Sequence, residues 1–597
     1  MKKRVVKVLA LTLALVLLSG CSLPGVGDLS GSFGSLLSDI TDFASREHNP
    51  DGVMFSDMHY SRPDTEKLAE DIAAVEQALE DGAKLKEVEG LLDVCMDDYD
   101  VFYTMYWLAD IYNCKDLRDE YYAAEFEWVD TQSAEISRLF DQMYYACAGS
   151  SLGRALEDDY FWPGFCEEYA DPNDSYYNDE TVALMQRESE LVSRYREIVA
   201  DPTVTYDGEE RSFNELYEEL SNAEDLASYY GYLAVLMSYY EKYSGPLAEV
   251  YIDLMRVRTE LAEKMGFASV AEMEYVFSFG RDYKPEDGDV FVSEVKTYLV
   301  PLYEWADDNG LIYGTSYSSL SSEELYAGMQ AVANNIGHEC PEIFSFMSRY
   351  GLYDIEPSAF KADTSYETYL SNYEAPFIFI KPKGTSADLL TFVHEFGHYT
   401  DAYVNFNANE ALDVAEIFSQ ALELLSLSHM DGVLDAREIK ALRDGKMGDA
   451  LDTFIQQSAF AEFESRAHAL GPDELTADKL CEIALQAAKD YGFCTPGFEQ
   501  YYQYFWMDIT HFFEYPFYVI SYPVSLSVAM QIYDLERQQP GSGMDKYFEI
   551  LPRDYENFMD TVVNGGLESP FTEGSVASIA RLIGDTLGYT GAYADAA

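Results

Sequence analysis

From about Asp64 onward, apolar residues recur every three or four positions and acidic residues fill the gaps. The stretch DTEKLAEDIAAVEQALEDGAKLKEVEGLLDVCMDDYDVFYTMYWLADI shows the pattern most fully. A repeat near ~3.6 residues predicts amphipathic helices. The same periodicity predicts helices around 125–150, 180–200 and 213–280, separated by the turn-rich stretches YADPNDS and DPTVTYDGEE. Strand patterns are few. The best is PFIFIKP, Pro376 to Pro382, which is β-branched and aromatic and bounded by turn residues. The expected fold is therefore predominantly α-helical.

The first residues follow a different pattern. MKKR and Lys7 make a basic start, and Val8 to Leu18 is an apolar run too short for a membrane span. LSGC, Leu18 to Cys21, then places small residues before a cysteine, which resembles a bacterial lipobox. That resemblance implies cleavage before Cys21 and lipidation of its sulfur; the alternatives are an ordinary secretory signal or an uncleaved anchor. The following SLPGVGDLSGSFGS reads as a flexible tether. On this reading the protein lies outside the cytoplasm on a bacterial cell membrane, held only by its N-terminal lipid. FYVISYPVSLSVAM is apolar but short, and Pro523 is expected to interrupt it.

Composition narrows the partners. The 597 residues are 48% hydrophobic and 24% charged, enough to bury a core. Aromatics reach 15%, with 49 Tyr, which suits helix packing and also a cleft wall that both packs and hydrogen-bonds. A formal net charge of −68 argues against nucleic acid and anionic membrane surfaces as partners. Besides Cys21 there are Cys95, Cys114, Cys147, Cys166, Cys340, Cys481 and Cys494, an odd set with no CxxC pair. That is not a disulfide framework, although one or two bridges remain open.

The candidate chemistry lies in LLTFVHEFGHYTDAYV, Leu389 to Val404. His394 and His398 are four apart, so a helix puts both imidazoles on one face where they grip one ion. Glu395 stands beside them as a general base for water. Leu389, Leu390, Val393 and Phe396 form the expected buried stripe, Thr385 and Ser386 are candidate N-caps, and Gly397 lets another element approach. Only eight histidines exist in the chain, which makes a chance pairing improbable. A third ligand is expected from ALDVAEIFSQALELLSLS, where Glu416 and Glu423 are seven apart and share a face. Glu410 is nearer but sits in the loop-like NANEA. Spacing alone does not choose between Glu416 and Glu423.

HEFGH followed by DVAEIFSQALE resembles the zinc peptidases of the thimet oligopeptidase and oligoendopeptidase F family. QQSAFAEFESRAHAL, HFFEYPFYVISYPVS, RTELAEKMGFASVAE and RDYKPEDGDVFVSEVKTYLVPLY add to the likeness, which spans roughly 200–590. The resemblance implies a bilobal, zincin-type helical fold with a small β-sheet beside the HExxH helix and a deep substrate channel. It also implies one Zn²⁺ per chain on His394, His398 and Glu416, with Ser419 and Gln420 following and Glu423 supporting the ligands from behind. Glu395 would be the base, Tyr518 the leading donor to the oxyanion, and Tyr522 and His511 its companions. Asp401 stands where the family usually has a histidine; it either orients a ligand imidazole or is a solvated helix residue. The loop between His398 and Glu416 is shorter than usual, and the segment from His511 to Tyr518 is longer by one residue. PFIFIKPKG is expected to be an edge strand that pairs with substrate backbone, with Phe377, Ile378, Phe379 and Gly384 in contact.

The resulting division is a signal peptide at 1–20, a lipidated cysteine and tether at 21–45, an N-terminal helical region at 46–200, a helical metallopeptidase catalytic region at 201–590 and a tail at 591–597. The expected protein is a monomeric zinc endopeptidase acting on short unstructured peptides. The alternatives are a peptide-binding lipoprotein without catalysis and a related zinc carboxypeptidase. Imidazole and carboxylate ligands also accept Mn²⁺ or Co²⁺.

Overall fold

The computed structural model describes residues 47–593 apart from 171–175, 201, 207, 214, 215, 217–225, 313–316, 407–410 and 553–556. The candidate signal sequence, Cys21, the tether and Glu410 lie outside the described residues.

Helices dominate, as the periodicity predicts. The first group is Thr65–Glu80, Leu85–Lys115 and Glu120–Gly149. Asp64 caps the first of these by accepting the Lys67 N–H. The second is apolar nearly all round in its C-terminal half, where Tyr99, Phe102, Tyr103, Tyr106 and Trp107 are all buried. Much of the tyrosine excess is therefore packing, with Tyr99 and Tyr103 ring centroids 4.5 Å apart.

Two stretches depart from the periodicity reading. DPTVTYDGEE, read as a turn, forms most of an antiparallel hairpin of Thr203–Tyr206 with Glu209–Ser212. Tyr206 faces Glu209 across the turn, and Gly208 has φ +86°. Asp-Gly between two short alternating runs is a hairpin signal. The helix expected over 213–280 is divided into Leu226–Lys264, Val270–Met273 and a π-helical turn at Glu274–Ser278.

A three-stranded sheet stands beside the candidate metal helix, with Ala375–Ile380 between Tyr353–Asp354 and Ser365–Leu370. The first pairing is parallel and the second antiparallel. PFIFI is thus a central strand, not an edge. Phe377, Ile378 and Phe379 are fully buried, so they are core residues and not substrate contacts. An unbroken apolar run is the pattern of a strand covered on both faces. The prolines misled because they sit at its ends: Pro376 is the second residue, opposite Tyr369, and Pro382 lies beyond Ile380.

The Asp388–Asn405 helix follows at once and packs on this sheet. Neither Thr385 nor Ser386 caps it. Asp388, in the first turn, instead fastens the loop ahead of the helix, accepting the Lys383, Gly384 and Thr385 N–H groups at 3.0, 2.7 and 2.9 Å. A carboxylate there also complements the positive end of the helix dipole. Gly384 is exposed, but its backbone polar groups are already engaged: its N–H serves Asp388 and its carbonyl accepts from Leu320 N–H at 2.9 Å.

The helices Leu412–Ser426, Ala436–Leu470 and Ser521–Gln538 complete the surroundings of the site. Pro523 does not break the last of these. It lies in the first turn, where a missing N–H is tolerated. Among the described residues no helix is long and apolar enough to cross a membrane. Cys95, Cys114, Cys147, Cys166, Cys340, Cys481 and Cys494 are all free.

Candidate active site

Gly397 lets the Leu412–Ser426 helix cross the Asp388–Asn405 helix at very short range. A Cβ on Gly397 would stand 2.6 Å from Ser419 Cα and 3.0 Å from Phe418 O. The crossing carries Glu416 up to the two histidines. One ligand atom from each of His394, His398 and Glu416 lies within 4.8 Å of the others. His394 Nε2 is 3.8 Å from Glu416 Oε2, and the two imidazoles stand nearly perpendicular, at 80°.

Glu423 occupies a different place. Its Oε2 lies 3.4 Å from His394 Nδ1, on the ring edge away from Glu416, while Oε1 meets Lys446 Nζ at 2.7 Å. Ser419 Oγ and Gln420 Nε2 donate to Glu416 Oε2 at 3.2 and 3.3 Å. The geometry thus groups Glu416 with the histidines and puts Glu423 behind His394.

The electrostatics favour a cation. Burial alone would lower the His394 pKa, but the Glu423 hydrogen bond and the charges of Glu416 and Glu395 raise it to about 9. Two imidazoles and a carboxylate, short of positive charge, suit a divalent ion bound through nitrogen and oxygen. Burial and the nearby His394 hold His398 down to about 3, against the pull of Asp401. Asp401 is no solvated helix residue: it is 2% exposed and accepts from Asn405 Nδ2 at 2.7 Å. Glu395 is buried too, and that burial is the main reason its carboxyl rises to about 7.

A second segment supplies hydroxyls. His511 opens the short His511–Glu514 helix and Tyr522 lies in the first turn of Ser521–Gln538. A 3.3 Å hydrogen bond joins Tyr522 Oη and His511 Nε2. The Tyr518 ring stands 5.0 Å from His511 and 5.3 Å from Tyr522, centroid to centroid. Burial first, and then charges that include Glu416, raise both tyrosines above the usual range, so they stay protonated. Burial lowers His511 to about 4.

Between them, Phe517 takes a left-handed backbone conformation with φ +62°. A bulky residue there costs about 1–3 kcal/mol and persists only when its surroundings hold it. Glu464 Oε1 accepts the Phe517 N–H at 2.9 Å, and Arg281 Nη1 donates to the Phe517 carbonyl at 3.0 Å. Sequence reasoning passed over Arg281, Asp413, Lys446 and Glu464. The only hint for Arg281 was a cation set among Tyr275, Phe279 and Tyr283, all of which it faces.

Residues 55–162 match the peptidase M3 N-terminal domain, and residues 333–554 match peptidase family M3. The chain belongs to peptidase family M3. It is 26% identical over 189 residues to an oligoendopeptidase F homolog of Borreliella burgdorferi, covering 30% of this chain and 31% of that protein. It is 27% identical over 232 residues to the chromosomal oligoendopeptidase F of Lactococcus lactis subsp. cremoris, covering 37% of this chain and 38% of that protein. The match thus spans only about a third of either relative's length. The structure of PZ peptidase A with an inhibitor superposes with a TM-score of 0.74 at 22% identity, over 90% of this chain and 98% of that one. The fold therefore extends across most of the chain, N-terminal helices included, where the match at 55–162 supplies a signature that helical periodicity alone did not.

Proposed function

We propose that this M3 chain is a zinc-dependent endopeptidase that cleaves internal bonds of short, unstructured peptides. The observation that carries the reading is the convergence of His394, His398 and Glu416 donor atoms within 4.8 Å, with Glu395 next in sequence to His394. Three protein ligands of this kind leave a coordination position open for chemistry. When bound, zinc supplies a Lewis acid that polarises the scissile carbonyl and makes water acidic near neutral pH.

The protein's own groups do the rest. Glu395 takes a proton from the attacking water on its carboxylate and passes it to the nitrogen of the departing amine. Tyr518 and Tyr522 hold their hydroxyl protons and donate to the carbonyl oxygen as charge builds there. One such donor is typically worth about 3–4 kcal/mol. His511, neutral at pH 7 because burial lowers it to about 4, fixes the Tyr522 hydroxyl. Glu423, held by Lys446, sets the orientation of the His394 ring.

The lipobox-like LSGC supports a second part of the proposal: the mature chain is tethered outside the cytoplasm through lipidated Cys21. Cys21→Ser is expected to move the protein from the membrane fraction to the soluble one.

The test is mass spectrometry of unstructured peptides incubated with residues 22–597 and with Glu395→Gln, zinc content being measured alongside. Internal cleavage by the wild type, lost in the variant while zinc stays bound, is the expected result. Release of single C-terminal residues would make the protein a carboxypeptidase. Bound zinc with no cleavage by either form would leave a peptide-binding lipoprotein.

A further inference from the structure

One guanidinium joins the two halves of the candidate site. Arg281 Nε meets Asp413 Oδ2 at 3.2 Å, and both side chains are 0% exposed. Asp413 lies three residues before Glu416 on the same helix. From its other side Arg281 donates to Phe517 O at 3.0 Å, to Ser521 Oγ at 2.6 Å and, more weakly, to Tyr518 O at 3.5 Å. Arg281 is itself held firmly. Its guanidinium carbon stands 4.4 Å from the Tyr275 ring centroid and 4.6 Å from that of Phe279. Tyr283 Oη donates to the same Asp413 oxygen at 2.6 Å.

The segment it holds is strained; Glu464 takes the Phe517 N–H and Ser521 N–H donates to Tyr518 O, but Arg281 is the group that ties it to the Leu412–Ser426 helix. Phe517 is left-handed at φ +62°, and Tyr518 follows directly. Phe279, which stacks on Arg281, also touches the Tyr518 ring edge-on at 5.7 Å. Arg281 therefore fixes the backbone on either side of Tyr518 Cα and, through Phe279, the ring. The same residue is anchored to the helix that supplies Glu416.

We propose that Arg281, with Asp413 and Ser521, is a positioning residue that sets the Tyr518 hydroxyl relative to the metal ligands. The inference rests on the endopeptidase reading and on Tyr518 acting as an oxyanion donor. Arg281 reaches no reacting atom itself. It acts by holding a turn that would otherwise relax, moving a donor that must meet charge at one place.

The test is a double-mutant cycle on the zinc-loaded enzyme with an unstructured fluorogenic peptide. Tyr518→Phe is expected to lower kcat about 100-fold. Arg281→Met is expected to lower kcat by about 10- to 100-fold, since misplacement of a catalytic group by ~1 Å costs that much. KM and zinc content should stay near wild type, and Arg281→Lys should recover part of the rate. In the Tyr518→Phe background, Arg281→Met should cost less than about twofold more, because residues acting as a unit are not additive. Multiplicative losses in the double variant would overturn the proposal. If Arg281 variants do not fold, Ser521→Ala decides. An approximately tenfold loss present with Tyr518 and absent without it supports the proposal, and an unchanged kcat overturns it. The underlying reading fails separately. A zinc-loaded wild type that cleaves nothing sinks the endopeptidase, and Tyr518→Phe at full rate sinks the donor role.

Discussion

Gly397 and Ser419 are packed so closely that a Cβ on the glycine would come within 2.6 Å of the serine Cα. The obstacle is backbone, which cannot swing aside as a side chain would. Gly397→Ala should therefore push the Leu412–Ser426 helix outward and take Glu416 with it. The expected cost is about 1–3 kcal/mol of stability, as for other overpacked cores. Zinc affinity should fall in parallel. Chemical denaturation and a chelator competition titration on the same preparation check both.

Lys446 is 2.7 Å from Glu423, whose other oxygen faces His394. Lys446→Met leaves that carboxylate without its fixed counter-charge. Metal affinity should drop by about 10- to 100-fold, the usual loss when a ligand's supporting partner is removed. Lys446→Arg should restore most of it. Zinc binding measured by competition with a chromogenic chelator separates the outcomes.

Glu464 gives a pH signature. Burial raises its carboxyl to about 8, with the Phe517 N–H, Arg258 and Arg281 opposing and Glu274 adding to the rise. In the unfolded chain it ionises near ~4.3. The folded state thus binds the extra proton between those values. This contribution is present below the unfolded pKa and is lost as pH rises towards about 8. Glu464→Gln should remove that slope, because an amide oxygen still accepts the Phe517 N–H. Denaturation midpoints from pH 5 to pH 9, variant against wild type, are the measurement.

Asp388 accepts three backbone N–H groups while only 4% exposed. Asp388→Ala strands those donors. A loss of about 1–3 kcal/mol is expected. Hydrogen exchange should rise first at residues 383–392, ahead of global unfolding.

The metal motif was legible because its logic is local. Four-residue spacing and the stripe of Leu389, Leu390, Val393 and Phe396 place His394 and His398 on one helix face, whatever surrounds them. The choice of Glu416 over Glu423 was not local. It depends on how a second helix crosses Gly397, and periodicity carries no crossing angle. The strand at Ala375–Ile380 was recognisable as a strand, but its central position depends on partners elsewhere in the chain. Arg281 and Asp413 are 132 positions apart, and no short window joins them. The hairpin at Thr203–Ser212 is the opposite case: its Asp-Gly signal lay in plain view, and the acidic, turn-rich composition around it masked the alternation.

The N-terminal helices do not merely precede the rest. Tyr366 Oη, on the outer strand of the sheet, donates to Asp110 Oδ2 at 2.7 Å, and the Asn372 N–H reaches Thr104 Oγ1 at 2.8 Å. Leu117 N–H and Phe360 O pair at 2.9 Å a little further on. The sheet that the metal helix rests on is thus itself backed by the Leu85–Lys115 helix, so the region at 46–200 is a retaining wall for the chemistry. The change of pattern near residue 200 is no place to cut. A fragment beginning there would bare the sheet face that carries Tyr366, and an apolar face stripped of its cover invites association with other copies of itself.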